Sequence, residues 1–301
     1  MTDPHASPSV AECLQQALRQ GLARVDAQIL LLHALARPLH DRAWLLAHDT
    51  DLLTEAQQHH WDQALQRRLQ GEPVAYITGR KDFFGLTLNV DARVLDPRPD
   101  TEILVEWALD LLPSGQPSRV LDLGTGSGAV ALALQHQRPA AQVTAVDASA
   151  DALAVAIANA TRLNLPVHCV LSHWMDAVPG PFKLIVSNPP YVAEGDPHLA
   201  ALTHEPLSAL TSGADGLDDI RQIIAQAPSR LAPGGWVLLE HGWDQAAPVQ
   251  ALLREAGFVQ VQSRRDLGDI ERCTGGMLPA CRVHETLTGS NPSIQCMHDP
   301  V

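Results

Sequence analysis

The residues from 120 to 128 constrain the fold more than any other part of this sequence. The run 120–123 has the length and apolar character of a buried strand, and a glycine-rich stretch follows it directly: Gly124, Thr125, Gly126, Ser127 and Gly128. A helical pattern begins two residues later. Glycines at this spacing allow the backbone to approach a ligand closely at the N-terminus of a helix. These residues therefore predict a ligand site where a buried strand leads into a helix.

An acidic residue at the end of the next strand extends this prediction. The strand covers 143–146 and is followed by Asp147, which lies 23 residues after Gly124. An acid in this place can accept two hydrogen bonds from the hydroxyl groups of a ribose. Together the two features predict a cofactor that contains a nucleoside. Enzymes that use nicotinamide cofactors and enzymes that use adenosylmethionine share this pattern.

Strand and helix patterns alternate from residue 118 to about 260. This alternation predicts an α/β fold in which helices cover both faces of a doubly wound, mostly parallel sheet. In such sheets, ligands bind at the carboxyl ends of the strands. Trp174 follows the strand that ends at Leu171, so we expect it at the same edge, as a candidate wall for an adenine ring. The alternative is that Trp174 is an ordinary core residue.

The stretch Asn188, Pro189, Pro190 and Tyr191 follows the apolar run 184–186. The two prolines provide no backbone N–H and restrict φ, so the loop is stiff and has free carbonyl oxygens. With the Asn188 amide and the Tyr191 ring, it suits a planar group that carries an NH2. The simpler interpretation is a proline-rich turn. Combined with the glycine loop, the stretch favours methyl transfer to a planar nitrogen, whereas a dehydrogenase has no use for it.

Residues 1–73 predict a small helical domain that serves binding rather than chemistry. Ser9 and Glu12 form the capping-box pattern at the start of a first helix, and apolar residues follow at helical spacing. Thr54 and Gln57 form the same pattern at the start of a fourth helix. No residue in this part of the sequence has a context that indicates catalysis.

The remaining sequence is divided into three parts. Residues 74–96 are predicted to be a linker, because apolar and polar residues alternate there as in a β-hairpin. Residues 97–281 form the predicted α/β domain, with Asp100 as the N-cap of its first helix. Arg98, between two prolines, is either a ligand contact or a plain exposed arginine. Residues 282–301 lack apolar periodicity and are expected to be a disordered tail.

The composition narrows the classes of function. A net charge of −13 at pH 7 argues against non-specific binding of nucleic acid, which needs clustered Lys and Arg. No apolar run approaches the roughly 20 residues that cross a bilayer, and the N-terminus lacks the pattern of a secretion signal. The five cysteines are scattered without a CxxC motif. We therefore expect free thiols, no metal site, a cytoplasmic location and no membrane or nucleic-acid partner.

Six motifs are spread over most of the chain. They are GEPVAYITG at 71–79, PRPDTE at 97–102, DLGTGSG at 122–128, NPPY at 188–191, LEHGW at 239–243 and DLGDIER at 266–272. In combination they resemble the peptide chain release factor N5-glutamine methyltransferases, also called the HemK-like family. The combination is far more specific than any single motif, because the glycine loop marks every enzyme of this cofactor class.

The resemblance implies the seven-stranded, Rossmann-like sheet of class I methyltransferases, with S-adenosylmethionine as the cofactor. It implies that one set of residues binds this cofactor: Gly124, Thr125, Gly126, Ser127, Gly128, Asp147, Trp174 and Asn188. The acceptor glutamine is then expected against Asn188, Pro189, Pro190 and Tyr191, of which Asn188, Pro189 and Tyr191 have catalytic roles. The implied substrate is the Gly-Gly-Gln loop of class I release factors, held in part by the helical domain, and the enzyme is expected to be a monomer.

The chain departs from the family pattern in two places. His173 stands where relatives usually carry an acid before the tryptophan, which affects the expected contact with the adenine amino group. The segment from Cys281 to Val301 lies beyond the family pattern and receives no role.

Three other functions are open at this point. A paralogous glutamine methyltransferase would have the same site and would act on a ribosomal protein of the large subunit; the LEHGW motif favours release factors by resemblance. An adenine-N6 nucleic-acid methyltransferase fits the same loop but is disfavoured by the acidic charge. A non-catalytic adaptor that binds the cofactor is disfavoured because both the glycine loop and the Asn188 loop are intact.

Overall fold

The structure, a computed structural model, describes residues 7–280. Its chain divides into two compact units. The first contains the residues up to Lys81 together with Asn89–Ala92 and Pro197–Glu205, and the second contains the rest. This division assigns parts of the predicted linker, 74–96, to both units. The expected tail, 282–301, lies outside the described residues.

The first unit is built from five helices. They are α1 (Val10–Arg19), α2 (Arg24–Ala34), α3 (Arg42–Ala47), α4 (Glu55–Leu69) and α5 (Val74–Thr78). Both predicted capping boxes are present, at the start of α1 and at the start of α4. In the second of these, the Thr54 hydroxyl accepts from the Gln57 N–H at 3.3 Å and the Gln57 side chain accepts from the Thr54 N–H at 2.9 Å. Trp61 of α4 is fully buried in a core that includes Leu30 and Leu31 of α2.

The hairpin expected over the linker is shorter than the alternation of apolar residues predicts. Its strands are β1 (Arg80–Phe83) and β2 (Leu86–Asn89), and the residues before it form α5. Pro73 precedes this short helix, and Gly79 ends it in the left-handed conformation, with φ of +69°. A prolyl start and a glycine stop are typical helix boundaries, so they account for a short helix in the first part of the predicted linker.

The second unit contains the predicted α/β sheet, and its seven strands confirm the expected fold class. The strands are β3 (Arg119–Leu123), β4 (Gln142–Asp147), β5 (His168–Leu171), β6 (Phe182–Ser187), β7 (Leu231–Glu240), β8 (Val259–Arg265) and β9 (Glu271–Met277). Their order is β5-β4-β3-β6-β7-β9-β8. The first five are parallel, whereas β9 runs antiparallel to both β7 and β8.

Helices pack on both faces of this sheet. They are α6 (Glu102–Leu111), α7 (Ala129–Gln137), α8 (Ala150–Leu163), α9 (Asp218–Gln226) and α10 (Ala246–Glu255). Val237 and Leu239 of β7 share a core cluster with residues of α9 and α10. Trp236, one position before Val237, contacts the ring of Trp107 in α6, with ring centroids 6.2 Å apart. Because successive side chains of a strand point to opposite faces, α6 covers the face opposite to α9 and α10.

The start of α6 differs from the expectation that Asp100 is its N-cap. Pro99–Thr101 forms a 3-10 turn, and Thr101 precedes the first residue of α6. Pro99 opens this turn, a position that suits its fixed φ and its missing N–H. The Asp100 carboxylate instead lies 3.5 Å from Nε of Arg272. Within residues 7–280, no helix is both long and apolar enough to cross a membrane.

Replacing Thr54 with alanine tests the capping box of α4. The change removes the hydroxyl that accepts from the Gln57 N–H, so we expect the free energy of unfolding to fall by about 1 kcal/mol. Thr54→Ser is the matched control, because serine keeps an acceptor oxygen. Urea denaturation followed by circular dichroism measures both variants. An alanine variant as stable as the serine variant would contradict a stabilising role for this cap.

Candidate active site

The carboxyl ends of three adjacent strands meet at a cavity in the second unit. Leu123 of β3 pairs with Val146 of β4 on one side and with Ser187 of β6 on the other, so the loops after these strands emerge side by side. The cavity has a volume of about 370 Å³. Its lining includes most of the predicted site residues: Gly124, Thr125, Gly126, Ser127, Asp147, Trp174, Asn188 and Pro190. Three predicted residues lie outside the lining: Gly128, Pro189 and Tyr191.

The glycine loop has the backbone conformation that close approach of a ligand requires. Gly124, Gly126 and Gly128 have φ of +68°, +55° and +84°, in the left-handed region that favours glycine. A Cβ atom at Gly124 would lie 3.6 Å from the ring of Trp174 and 4.0 Å from the carbonyl oxygen of Asn188. A side chain at this position would therefore occupy space between the glycine loop and the two loops opposite.

A buried acid holds this loop from below. Asp122 of β3 accepts a hydrogen bond from the Thr125 hydroxyl at 2.7 Å and from the backbone N–H of Ala131 at 3.2 Å. Burial raises the pKa of the Asp122 carboxyl to about 7, and the two hydrogen bonds act in the opposite direction. Asp122 lies in the predicted strand and opens the DLGTGSG motif, and its contacts fix both the loop and the first turn of α7.

Asp147 has both of its carboxylate oxygens turned to backbone donors. One oxygen accepts from the N–H of Gly126 at 2.9 Å, and the other accepts from the N–H of Ser149 at 2.9 Å. A carboxylate oxygen has two lone pairs, so each of these oxygens can accept a further hydrogen bond. Asp147 thus connects the glycine loop to the start of α8 and keeps acceptor capacity toward the cavity that it lines.

Trp174 fits both of the interpretations that the sequence left open. It lines the cavity and also belongs to the core cluster that contains Val237 and Leu239 of β7, with 8% of its surface exposed. Its indole N–H is buried without a hydrogen-bond partner among the described residues. His173 lines the cavity as well. Its ring nitrogen Nδ1 lies 3.9 Å from the carboxylate of Asp176.

The loop that begins at Asn188 is attached to the sheet on several sides. Ser187, fully buried at the end of β6, donates from its hydroxyl to the carbonyl oxygen of Leu123 at 2.8 Å. The Asn188 side chain donates from Nδ2 to the Thr101 hydroxyl oxygen at 3.1 Å. These contacts fix the loop to β3 and to the turn before α6.

Tyr191 is held mainly through its backbone. Its N–H donates to the carbonyl oxygen of Leu210 at 3.2 Å, and its own carbonyl accepts from Nε2 of Gln245 at 3.0 Å. The side chain packs against the core cluster, and burial raises the pKa of its phenol. Sequence reasoning missed Gln245, which also accepts from the N–H of Gly242 at 2.8 Å. Arg98, a candidate ligand contact, lies outside the cavity lining and 3.9 Å from the Asp96 carboxylate.

A second buried acid, in the LEHGW motif, lies behind the Asn188 loop, and sequence reasoning assigned it no role. Glu240 ends β7 and has 1% of its surface exposed. Burial raises the pKa of its carboxyl to about 7, and hydrogen bonds from Thr101 and Asn188 act in the opposite direction. The next residue, His241, is buried, and its Nε2 lies 2.7 Å from the Thr274 hydroxyl. No grouping of acids, cysteines and histidines within residues 7–280 suits a metal ion.

Comparison with known proteins places both units in one family. Residues 99–263 match the methyltransferase small domain, and residues 9–79 match the PrmC N-terminal domain. The release factor glutamine methyltransferase of Bordetella pertussis is 52% identical over 262 residues, which are 86% of this chain and 96% of that protein. The protein of the same name from Escherichia coli K12 is 45% identical over 269 residues, 88% of this chain and 96% of that protein.

A solved structure supports the fold independently. The Thermus thermophilus 16S rRNA N2 G1207 methyltransferase, in complex with AdoMet and guanosine, aligns with a TM-score of 0.52 and 22% identity. The alignment covers 66% of this chain and 49% of that protein, and at this identity it bears on the fold alone. On the strength of the sequence matches, which span the helical unit and the sheet, this chain belongs to the family of release factor glutamine methyltransferases, enzymes that use S-adenosylmethionine.

Proposed function

We propose that this protein transfers a methyl group from S-adenosylmethionine to the side-chain amide nitrogen of a glutamine, in the Gly-Gly-Gln motif of class I peptide chain release factors. One observation carries the proposal. The glycine loop, Asp147 and the Asn188 loop border a single cavity, so a nucleoside-containing cofactor and an amide acceptor have adjacent places. The identity of 45% to 52% with enzymes of that name supports the choice of substrate.

The chain's residues fit this cofactor. The left-handed glycines leave room at the N-terminus of α7, and Asp147 keeps acceptor capacity for the hydroxyl groups of a ribose. Trp174 offers an aromatic wall at the same edge of the sheet. When bound, S-adenosylmethionine supplies an electrophilic methyl group, so no covalent intermediate with the enzyme is needed.

The acceptor loop is suited to a nucleophile that is weak by itself. An amide nitrogen shares its lone pair with the carbonyl group, so alignment and stabilisation of the positive charge that grows on it are the main contributions. We assign the two N–H groups of the glutamine amide to the Asn188 side-chain oxygen and the Pro189 carbonyl oxygen. Pro190 lines the cavity, whereas Tyr191 packs behind the loop and serves to hold it.

The helical unit is proposed to help bind the release factor. It carries exposed leucines, among them Leu46 and Leu52, each with 67% of its surface exposed, and nothing in it suggests chemistry. We also propose that the protein acts in the cytoplasm, which agrees with the free thiols of Cys13, Cys169 and Cys273. A monomer that does not bind nucleic acid directly agrees with the net charge of −13.

One assay separates the proposed substrate from its competitors. The purified protein is incubated with methyl-labelled S-adenosylmethionine and, in separate reactions, with a class I release factor, a large-subunit ribosomal protein or DNA. We expect label only on the release factor, on the glutamine of its Gly-Gly-Gln motif, as located by mass spectrometry. A release factor in which this glutamine is replaced by asparagine is the matched control. Label on the ribosomal protein or DNA instead would refute the proposal.

Replacing Asp147 with alanine tests the cofactor assignment. The variant lacks the charged acceptor for the ribose and the anchor of the Gly126 N–H, a loss of about 1.5–3 kcal/mol for hydrogen bonds to a charged group. We therefore expect affinity for S-adenosylmethionine, measured by calorimetric titration, to fall roughly 10- to 100-fold. Asp151→Ala, an exposed acid of α8 outside the cavity lining, is the control. If Asp147→Ala binds the cofactor normally, the ribose assignment is wrong.

Replacing Asn188 tests the acceptor assignment. Asn188→Ala is expected to lower kcat by about 100-fold, by analogy with removal of one positioned hydrogen bond, with a much smaller change in cofactor affinity. Asn188→Asp keeps an acceptor oxygen, so it should retain more activity than alanine. Because an aspartate there adjoins the buried Glu240 carboxyl, the two acids repel when both are ionised.

This repulsion raises the pKa of the pair, so we expect the activity of the Asn188→Asp variant to rise with pH as its carboxylate ionises. Single-turnover rates at saturating cofactor measure this directly. Equal inactivity of the alanine and aspartate variants at every pH, in folded protein, would mean that the oxygen of Asn188 is not the essential atom. Full activity of both would mean that the loop is only a turn.

A further inference from the structure

Glu240 is a buried acid that the proposed function leaves without a task. It lies outside the cavity lining, 1% exposed, at the end of β7 beside the strand that delivers Asn188. Arg272, the nearby cation, has its own contacts with Asp266 at 3.0 Å and with Asp100 at 3.5 Å. Burial of a carboxylate costs several kcal/mol unless hydrogen bonds or an ion pair compensate it. An apolar residue would be cheaper at this position, so a purely structural role explains Glu240 poorly.

The hydrogen bonds around Glu240 have a defined direction. The side chains of Thr101 and Asn188 lower the pKa of its carboxyl through hydrogen bonding, and Oε2 is buried without a partner in the described part of the chain. The Thr101 oxygen accepts from Nδ2 of Asn188 at 3.1 Å, so the hydroxyl proton of Thr101 is available to Glu240. An ionised carboxylate only accepts hydrogen bonds. If the Asn188 amide were turned the other way, its oxygen would face the ionised carboxylate of Glu240, which has no proton to donate. The orientation with the NH2 group inward is therefore favoured.

We propose that Thr101 and Glu240 are positioning residues that hold the Asn188 amide with its NH2 turned inward and its oxygen turned toward the acceptor site. This inference rests on the proposed function of Asn188 and deepens it. An oxygen fixed in this way accepts from the NH2 of a glutamine side chain and repels the carboxylate of a glutamate. We call this arrangement of Thr101, Glu240 and the Asn188 amide the lock. The lock thereby selects an amide as the methyl acceptor.

The charge of Glu240 adds an electrostatic contribution. Donation from the Asn188 NH2 toward a carboxylate polarises the amide and makes its oxygen a stronger acceptor. A negative charge behind the oxygen also favours the positive charge that grows on the acceptor nitrogen. With its pKa raised to about 7, Glu240 changes from the protonated to the ionised form across neutral pH.

Several other groups face Glu240 from the elements packed around it. Asp100 raises the pKa of Glu240 and Arg272 lowers it. The phenol of Tyr191 and the thiol of Cys273 also sense the Glu240 charge. Both stay neutral across this pH range because burial raises their own pKa. A titration measured at this place near neutral pH would therefore belong to Glu240.

The lock can be tested without any methyl transfer. The chain has five asparagines, so labelling with 15N-asparagine gives few side-chain NH2 signals in an NMR spectrum, and Asn188→Ala assigns the one from Asn188. We expect this NH2 to be protected from hydrogen exchange in the full-length wild-type protein, and its shift to titrate near pH 7. Thr101→Val removes the hydroxyl at constant shape and should expose the NH2, whereas Thr101→Ser should restore protection. Glu240→Gln should abolish the titration.

Kinetics then connect the lock to the reaction. For the release factor, Thr101→Val should lower kcat about 10-fold or more while the dissociation constant of S-adenosylmethionine changes less than 3-fold, and Thr101→Ser should recover most of kcat. In the wild type, kcat should rise from pH 6 to pH 8, and Glu240→Gln should flatten this rise. Urea denaturation should show Glu240→Gln to be at least as stable as the wild type, because an incompletely paired buried charge is removed.

The outcomes separate this inference from the proposed function. An Asn188 NH2 that exchanges freely in the wild type, or that stays protected in Thr101→Val, overturns the lock whatever the enzyme methylates. Equal kcat for Thr101→Val and wild type, or an unchanged pH profile in Glu240→Gln, overturns its role in catalysis. A wild-type protein that shows the protected, titrating NH2 but does not methylate release factor refutes the proposed function and leaves the lock in place.

Discussion

The register of three parallel strands determines the position of every other part of the site. Leu123 pairs with Val146 and with Ser187, so β3, β4 and β6 end at the same level. The Ser187 hydroxyl donates to the carbonyl oxygen of Leu123 where the ladder ends, which ties the last residue of β6 to β3. The glycine loop, Asp147 and Asn188 come next along the three strands. A shift of one residue would turn each of them to the other face of the sheet.

Acidic side chains fix the loops that follow these strands. Asp122 accepts from Thr125 and from the first turn of α7, and Asp147 accepts from Gly126 and Ser149. Hydrogen bonds to charged groups are stronger than those between neutral groups. Three of the five residues of the glycine loop have no side chain, so the loop gains a defined shape from an acid on β3, which leads into it, and from an acid on the neighbouring strand β4. Both acids also line the cavity.

The parts of the site that the sequence predicts are those whose chemistry is local. The glycines need a left-handed backbone within five consecutive residues, and the two prolines stiffen the loop in which they occur. The roles of Thr101, Gln245 and Glu240 were missed, although Thr101 and Glu240 lie in quoted motifs, because each acts on a residue more than 50 positions away in the chain. Only the order of strands, which places β7 beside β6, brings Glu240 behind Asn188. The sequence alone does not show which distant residues the strand order brings together.

The fold also contains elements that the sequence did not predict. Helix α5 was not predicted, because residues 74–78 were included in the hairpin linker although Pro73 and Gly79 bound a short helix there. Strands β8 and β9 were not placed individually. In β9, Gly275 and Gly276 interrupt any apolar pattern. A Cβ at Gly275 would lie 2.4 Å from the Leu238 side chain, and one at Gly276 would lie 2.9 Å from Phe258, so tight packing accounts for both glycines.

The stiffness of the acceptor loop explains how the buried acid Glu240 can control the orientation of the Asn188 side chain. The prolines limit how far the Asn188 backbone can move, and Gln245 holds the carbonyl oxygen of Tyr191 from behind. The amide torsion of Asn188 is then the main remaining freedom, and a terminal torsion of this type is soft. Thr101 and Glu240 act on that one torsion. A costly buried acid is thus consistent with a site whose reaction depends on which of two similar atoms, an oxygen or a nitrogen, faces the substrate.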